Sequence, residues 1–347
     1  MQLKARQNTP WAISKSGWVL VFVVSLAVIV NDQSAARAQD PPQNGGSASK
    51  PVGGDSGKSL EELEHEIATN KLQDSEQKLR EYLKNHPDSS RAHYDLGYVE
   101  FRAHSFGASI TELSKSLELN PANAEAHKIL ALDCSIVGRY DMAEVELQRA
   151  VRLKPESAEI HYFLARTYYS RGVYPLAKSE FEEALRLDPH DIKAYNNLGI
   201  TLEALGETDG ALANYQIAVR LDDQQKPKSE WPYIYLSGFY NRQHRAIEAL
   251  TYARKAMEVN PQSDAIYFEM AKAYRTQREL QKATDAIQKA IAINGKASDY
   301  YYIFGLLLRE LGRQKESEQV LAKFAELQSG HAPADHMQQE PLVAEPN

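Results

Sequence analysis

The hydrophobic pattern of this chain repeats. From about residue 88 onward, apolar-acidic stretches end in a proline, and Pro87, Pro121, Pro155 and Pro189 stand 34 residues apart. The phrases leading into the last three are variants of one another, SLELNP, AVRLKP and ALRLDP, and AMEVNP ends the same way at Pro261. Proline has no N–H and cannot continue a helix, so each marks a helix end. The period holds two helices and their turns. Small residues such as Ala143, Ala177 and Gly199 let the two helices of a pair close on each other, while Leu164 and Phe181 fill the space between neighbouring pairs. Gly138, Gly172, Gly206 and Gly312 permit the tight turn inside a pair. One pair cannot bury its apolar face alone, so the pairs must stack.

A 34-residue period with two helices per unit is the mark of the tetratricopeptide-repeat (TPR) family. Residues 158–189 (AEIHYFLARTYYSRGVYPLAKSEFEEALRLDP) resemble a nearly complete repeat. Leu164, Ala165 and Tyr168 match its first helix, Gly172 its turn, and Ala177, Phe181, Ala184 and Pro189 its second helix. The same frame fits a unit starting near Ser90, the next one through Leu130, Gly138, Ala143 and Leu147, another through Leu198, Gly199, Gly206 and Tyr215, and units starting near Glu230, Asp264 and Ser298. The resemblance implies an all-α, right-handed solenoid of about seven hairpins. It occupies residues 59–328 with a degenerate helical pair at about 59–86. Two departures stand out. The segment DDQQKPKSEWP (222–232) adds four residues to the period and reads as a longer loop, a bend between two sub-arrays. The last helix (314–328) carries Val320, Leu321, Phe324 and Leu327 on one face with no capping helix after it, which offers an end for pairing with another copy.

The chain opens differently. Lys4, Arg6 and Lys15 precede 13 residues, Trp18 to Val30, that are apolar except for Ser25, and Ala36-Arg37-Ala38 follows. This pattern predicts a secretory signal peptide at 1–38. The rival is an inner-membrane anchor formed by residues 18–30. A span takes about 20 apolar residues, so cleavage is the expectation. Residues 39–58 hold 11 Gly, Pro or Ser among 20 and read as a disordered linker. The segment 329–347 reads as a disordered tail. The location implied is the periplasm or the cell exterior of a bacterium, and the family member implied is an exported one.

The net charge is −7, and the signal segment holds four bases and one acid, so its removal leaves −10. That argues against nucleic acid as a partner. The single cysteine, Cys134, can form no intrachain disulfide and takes the slot of Tyr168 one unit earlier, so it reads as buried and inert. GGDSGKS (53–59) is similar to a phosphate-binding loop, but Val52 stands where that loop needs glycine and no strand precedes it. His93, His127 and His161 share one slot in successive units, replaced later by Tyr195, Tyr233, Tyr267 and Tyr301. Neighbouring first helices lie about 8–10 Å apart, too far to share one ion, so packing is the reading. No catalytic motif appears, and no enzyme activity, cofactor, metal or small-molecule substrate is expected.

In this family the concave groove is lined by a few positions of each first helix. Carried over by register, these are Arg91, Tyr94, Tyr98 and Phe101; Lys128 and Leu132; Glu159, Tyr162, Arg166 and Tyr169; Lys193, Asn196 and Glu203; Trp231 and Ile234; Phe268, Lys272 and Arg275; and Asp299, Tyr302 and Arg309. Seven bases against three acids predict a groove of about +4, rich in the Tyr and Arg that dominate interfaces. The expected function is a protein-binding scaffold or adaptor of the cell envelope, taking an extended or helical partner segment with acidic and apolar side chains. The alternatives are a noncatalytic subunit regulating an enzyme and a self-assembling oligomer.

Overall fold

The computed structural model describes residues 59–69 and 72–329. The signal peptide, the linker, most of GGDSGKS and nearly all of the tail read from the sequence lie outside the described residues. Within them the chain is a succession of helices. A short leading pair, α1 (Leu60–Ala68) and α2 (Leu72–Asn85), is followed by α3 (Ser90–Arg102) with α4 (Phe106–Leu119), α5 (Ala124–Ile136) with α6 (Tyr140–Leu153), α7 (Ala158–Ser170) with α8 (Tyr174–Leu187), and α9 (Ile192–Ala204) with α10 (Thr208–Asp223). Three more pairs complete the array: α11 (Trp231–Arg242) with α12 (Ala246–Val259), α13 (Asp264–Thr276) with α14 (Leu280–Ile293), and α15 (Ser298–Glu310) with α16 (Gln314–Ser329). The seven full hairpins and the leading pair match the expectation.

Local chemistry sets these boundaries. Ser89, Asn123, Ser157 and Asp191 accept backbone N–H bonds at the starts of α3, α5, α7 and α9. Ser59, the last residue of the loop-like motif, is the N-cap of α1, its Oγ accepting from Glu62 N while Glu62 accepts from Ser59 N. Every turn inside a full hairpin passes through one left-handed residue: Gly138, Gly172, Gly206 and Gly312, but also His104, His244 and Arg278, at φ between 57° and 79°. The next residue's N–H closes back on the first helix, as in Val173 N to Tyr168 O at 2.9 Å. Asp223 stands where the other early units have proline, and α10 accordingly runs to 16 residues where α8 has 14. The longer connection that follows is tied down: Asp222 accepts from Ser229 N at 2.9 Å, and Asp223 from Tyr233 Oη at 2.7 Å and Lys228 Nζ at 2.6 Å. Helix packing continues across it, α10 and α9 both meeting α11.

Inside three of the hairpins a glycine faces a large residue sixteen positions later. A Cβ added at Gly97, Gly199 or Gly305 would lie 2.7, 2.7 and 2.6 Å from the side chains of Leu113, Tyr215 and Leu321. A second small position recurs on the second helix: Ser116, Ala150, Ala184, Ala218, Ala256 and Ala290 are all at most 1% exposed. Ala290 shares a core cluster with Tyr300 and Leu307 of the next unit. In the final unit the same position is Phe324, half-buried and 5.5 Å from the ring of Tyr302. First helices also meet the first helices of adjacent units, from α3 with α5 through to α13 with α15. They therefore form a continuous inner wall.

Candidate functional site: the inner wall

The predicted lining residues fall into three groups. Phe101, Tyr162, Asn196 and Ile234 are buried, at 3–7% exposure. This corrects their assignment as displayed groove residues: they build the wall. Tyr162, for example, packs on Phe181 with ring centres 5.8 Å apart and accepts a bond from Asn197 Nδ2 at 3.2 Å. Tyr94, Tyr98, Leu132, Tyr169, Lys193, Trp231, Phe268 and Asp299 are half-buried in the wall. Burial pushes the Tyr94 and Tyr169 hydroxyls well above the ordinary phenol value. Arg91, Glu159, Tyr302 and Arg309 are exposed.

The expected surplus of +4 does not survive. Arg91 pairs with Glu64, Lys128 with Glu125 at 2.7 Å and Glu159 at 2.6 Å, Lys272 with Glu269 at 2.7 Å, and Arg275 with Glu310 at 2.6 Å. Glu64, Glu125, Glu269 and Glu310 lay outside the positions counted from the family register, as did Arg242, and adding these four acids and one base cuts the surplus of four to one. Glu203 is likewise occupied, by a two-point contact from Arg242 at 3.0 and 2.6 Å and by the Tyr215 hydroxyl at 2.8 Å. Gly238 is small because Arg242 and Glu269 fill its surroundings, at 3.1 and 3.4 Å from where its Cβ would be. The wall is thus an ion-paired lattice that ties units to one another.

Two of the predicted cations stand apart. Arg166 lies over the rings of Tyr162 and Phe163, 5.5 and 5.8 Å from their centres, and among the described residues no carboxylate pairs with it. Arg309, at the far end beside the 44% exposed Tyr302, has no carboxylate partner among the described residues either. A guanidinium stacked on aromatic rings keeps its donors available for an incoming carboxylate.

The histidine slot holds more than packing. His93, His127 and His161 place Nδ1 2.6 Å from a carboxylate oxygen of Glu112, Glu146 and Glu180, and Nε2 2.9, 3.1 and 3.0 Å from the carbonyls of Pro87, Pro121 and Pro155. A carbonyl oxygen only accepts, so Nε2 donates. Each ring is a clip joining the two helices of a hairpin to the preceding loop. Burial pulls the Glu146 carboxyl up, but the bonds from His127 and Arg149 outweigh it and hold the group below its ordinary value. Later tyrosines take over the carbonyl contact alone, Tyr267 to Pro261 O at 3.0 Å and Tyr301 to Gly295 O at 2.9 Å. Cys134 is fully buried, and burial pushes its thiol up to about 11.

The TPR-repeat and tetratricopeptide-repeat families match residues 165–206, 60–124, and 192–225 with 298–331. A tetratricopeptide repeat protein from Parabacteroides merdae superposes with a TM-score of 0.60 at 15% identity, covering 72% of this chain and 97% of that one. A chain in the APC/C hetero-tetramer Cut9-Hcn1 superposes with a TM-score of 0.58 at 17% identity over 69% of this chain, and this chain spans 46% of its length. At these identities the likeness shows the fold alone. No curated protein matches the chain. No helix among the described residues is long and apolar enough to cross a membrane. The repeat period, the stacked hairpins and the family matches converge: this chain is a tetratricopeptide-repeat protein.

Proposed function

We propose that the protein is a scaffold or adaptor of the bacterial cell envelope that holds an acidic and apolar segment of a partner protein on its inner wall. Repeats of this family generally mediate protein–protein binding. The observation that carries the reading is Arg166, a cation on the wall, stacked on two rings, whose charge no carboxylate of the described chain answers. The basic start, the 13-residue apolar-rich run and the small residues near Ala38 support export. Arg166 is also the better handle for a test, because reversing Lys272 or Arg275 would break an ion pair within the wall. The full chain and an Arg166→Glu variant are used to capture proteins from an envelope fraction. Partners held by the first and lost by the second establish the wall as the binding site. Equal capture by both moves the site elsewhere on the array.

A further inference from the structure

The seam between the first two full units is built from carboxyls where every other unit uses different chemistry. Asp133 on α5 is 0% exposed and Glu100 on α3 is 1% exposed. The equivalent of Asp133 in the other units is Val99, Thr167, Thr201, Phe239, Ala273 or Leu307. The equivalent of Glu100 is Cys134, Tyr168, Leu202, Tyr240, Tyr274 or Leu308. Neither carboxyl is fully satisfied: Asp133 Oδ1 and Glu100 Oε2 have no hydrogen-bond partner among the described residues.

Hydrogen counting at Ser109 ties the bond pattern to the state of Asp133. Ser109 Oγ, on α4, lies 2.8 Å from the Gly97 carbonyl oxygen and 2.6 Å from Asp133 Oδ2. The hydroxyl has one hydrogen, and the carbonyl can only accept. If Ser109 donates to Gly97, the contact with Asp133 needs a hydrogen on the carboxyl. We propose that this seam is a proton-operated joint: Asp133 closes it as a neutral acid donating to Ser109, and ionisation of Asp133, with Glu100 beside it, loosens α3 and α4 from α5.

The surroundings agree. Burial pushes Asp133 up to about 8; Ser109 opposes this and Glu100 adds to it. Burial likewise pushes Glu100 up to about 7; Arg80 from α2 opposes this, while Glu112 from α4 and Glu76 from α2 add to it. Among the described residues, α6 and α7 present no charged group that acts on Asp133. Both values lie above the ordinary carboxyl ones, so the folded joint holds protons that the unfolded chain has released. The joint is at full strength below about pH 4, weakens as pH rises, and reaches its floor above about pH 8.

The experiment is amide hydrogen exchange on the full chain at pH 6 and pH 9, corrected for intrinsic exchange, with wild type beside Asp133→Asn. Asparagine keeps the shape and the donor of the neutral acid but cannot ionise. In the wild type, protection of α4 and α5 falls by about a hundredfold between the two conditions, as linkage for a group with these values requires. In Asp133→Asn the part due to Asp133 disappears and at most the roughly tenfold part supplied by Glu100 remains, while α13 to α15 behave alike in both proteins. An equal fall in both proteins, or none in the wild type, overturns the proposal. Should the variant not fold, infrared spectra of an Asp95→Asn chain decide, because Asp95 is the other carboxyl that burial pushes up to about 8. A protonated-carboxyl band at pH 6 that is gone at pH 9 supports the joint, and its absence at pH 6 overturns it.

Discussion

The early units, α3 to α8, and the late units, α11 to α16, build the same hairpin by different means. Early first helices start under a side-chain cap, Ser89, Asn123 or Ser157, whereas Glu230, Ser263 and Ala297 make no such bond at α11, α13 and α15. Early hairpins are clipped by a histidine held between a glutamate and a proline carbonyl. In the last two units a tyrosine hydroxyl makes a single contact with the carbonyl. The comparison teaches that a repeat conserves mechanical jobs, and that charge, hydroxyl and ring can each fill one. It also means that the early hairpins are closed by ionisable clips and the last two by hydroxyls, while both halves carry ion pairs along the wall.

The most damaging way to break the comparison is to remove one clip. His127→Ala leaves Glu146 buried with Arg149 as its remaining partner, at a cost of about 2 kcal/mol, read as a lowered denaturant midpoint. Acid should do the same to the α5–α6 hairpin. Because Glu146 lies below its ordinary value when folded, its contribution is present at neutral pH and is lost as pH falls below 4.5. Hydrogen exchange should then show α5 and α6 losing protection before α13 and α14. The caps sharpen the contrast: Ser157→Ala costs about 1 kcal/mol, while Ser263→Ala, with no bond to lose, costs close to nothing. Tyr267→Phe removes one hydroxyl contact and costs about 1 kcal/mol or less by thermal melting. The smallest effect is a gain: Arg278→Gly relieves a left-handed residue at φ 63° and stabilises by about 0.5 kcal/mol.

Much of the array was legible because its signals are local. The turn glycines and the small residues such as Gly199 can be read within one unit, and the prolines one period apart. The wall was harder. Register places Tyr162 and Asn196 correctly on a first helix, but whether such a side chain is displayed or buried depends on how closely the next unit packs. The charge balance failed for the same reason. Arg91 finds Glu64 and Arg275 finds Glu310, each 27 or 35 residues away, at positions the family frame does not count. The histidine clips were half legible. Their period was visible, but the glutamate nineteen residues on was not connected to it.

Phe324 bears on how such a chain could lengthen. Tandem repeats grow by copying a unit and joining it to its neighbour. A duplicate of the last unit would carry its phenyl ring into an internal junction, where the six earlier junctions close over a methyl or a hydroxymethyl group. Copies of the inner units meet no such obstacle. The array can therefore gain length from within, while its final hairpin stays final.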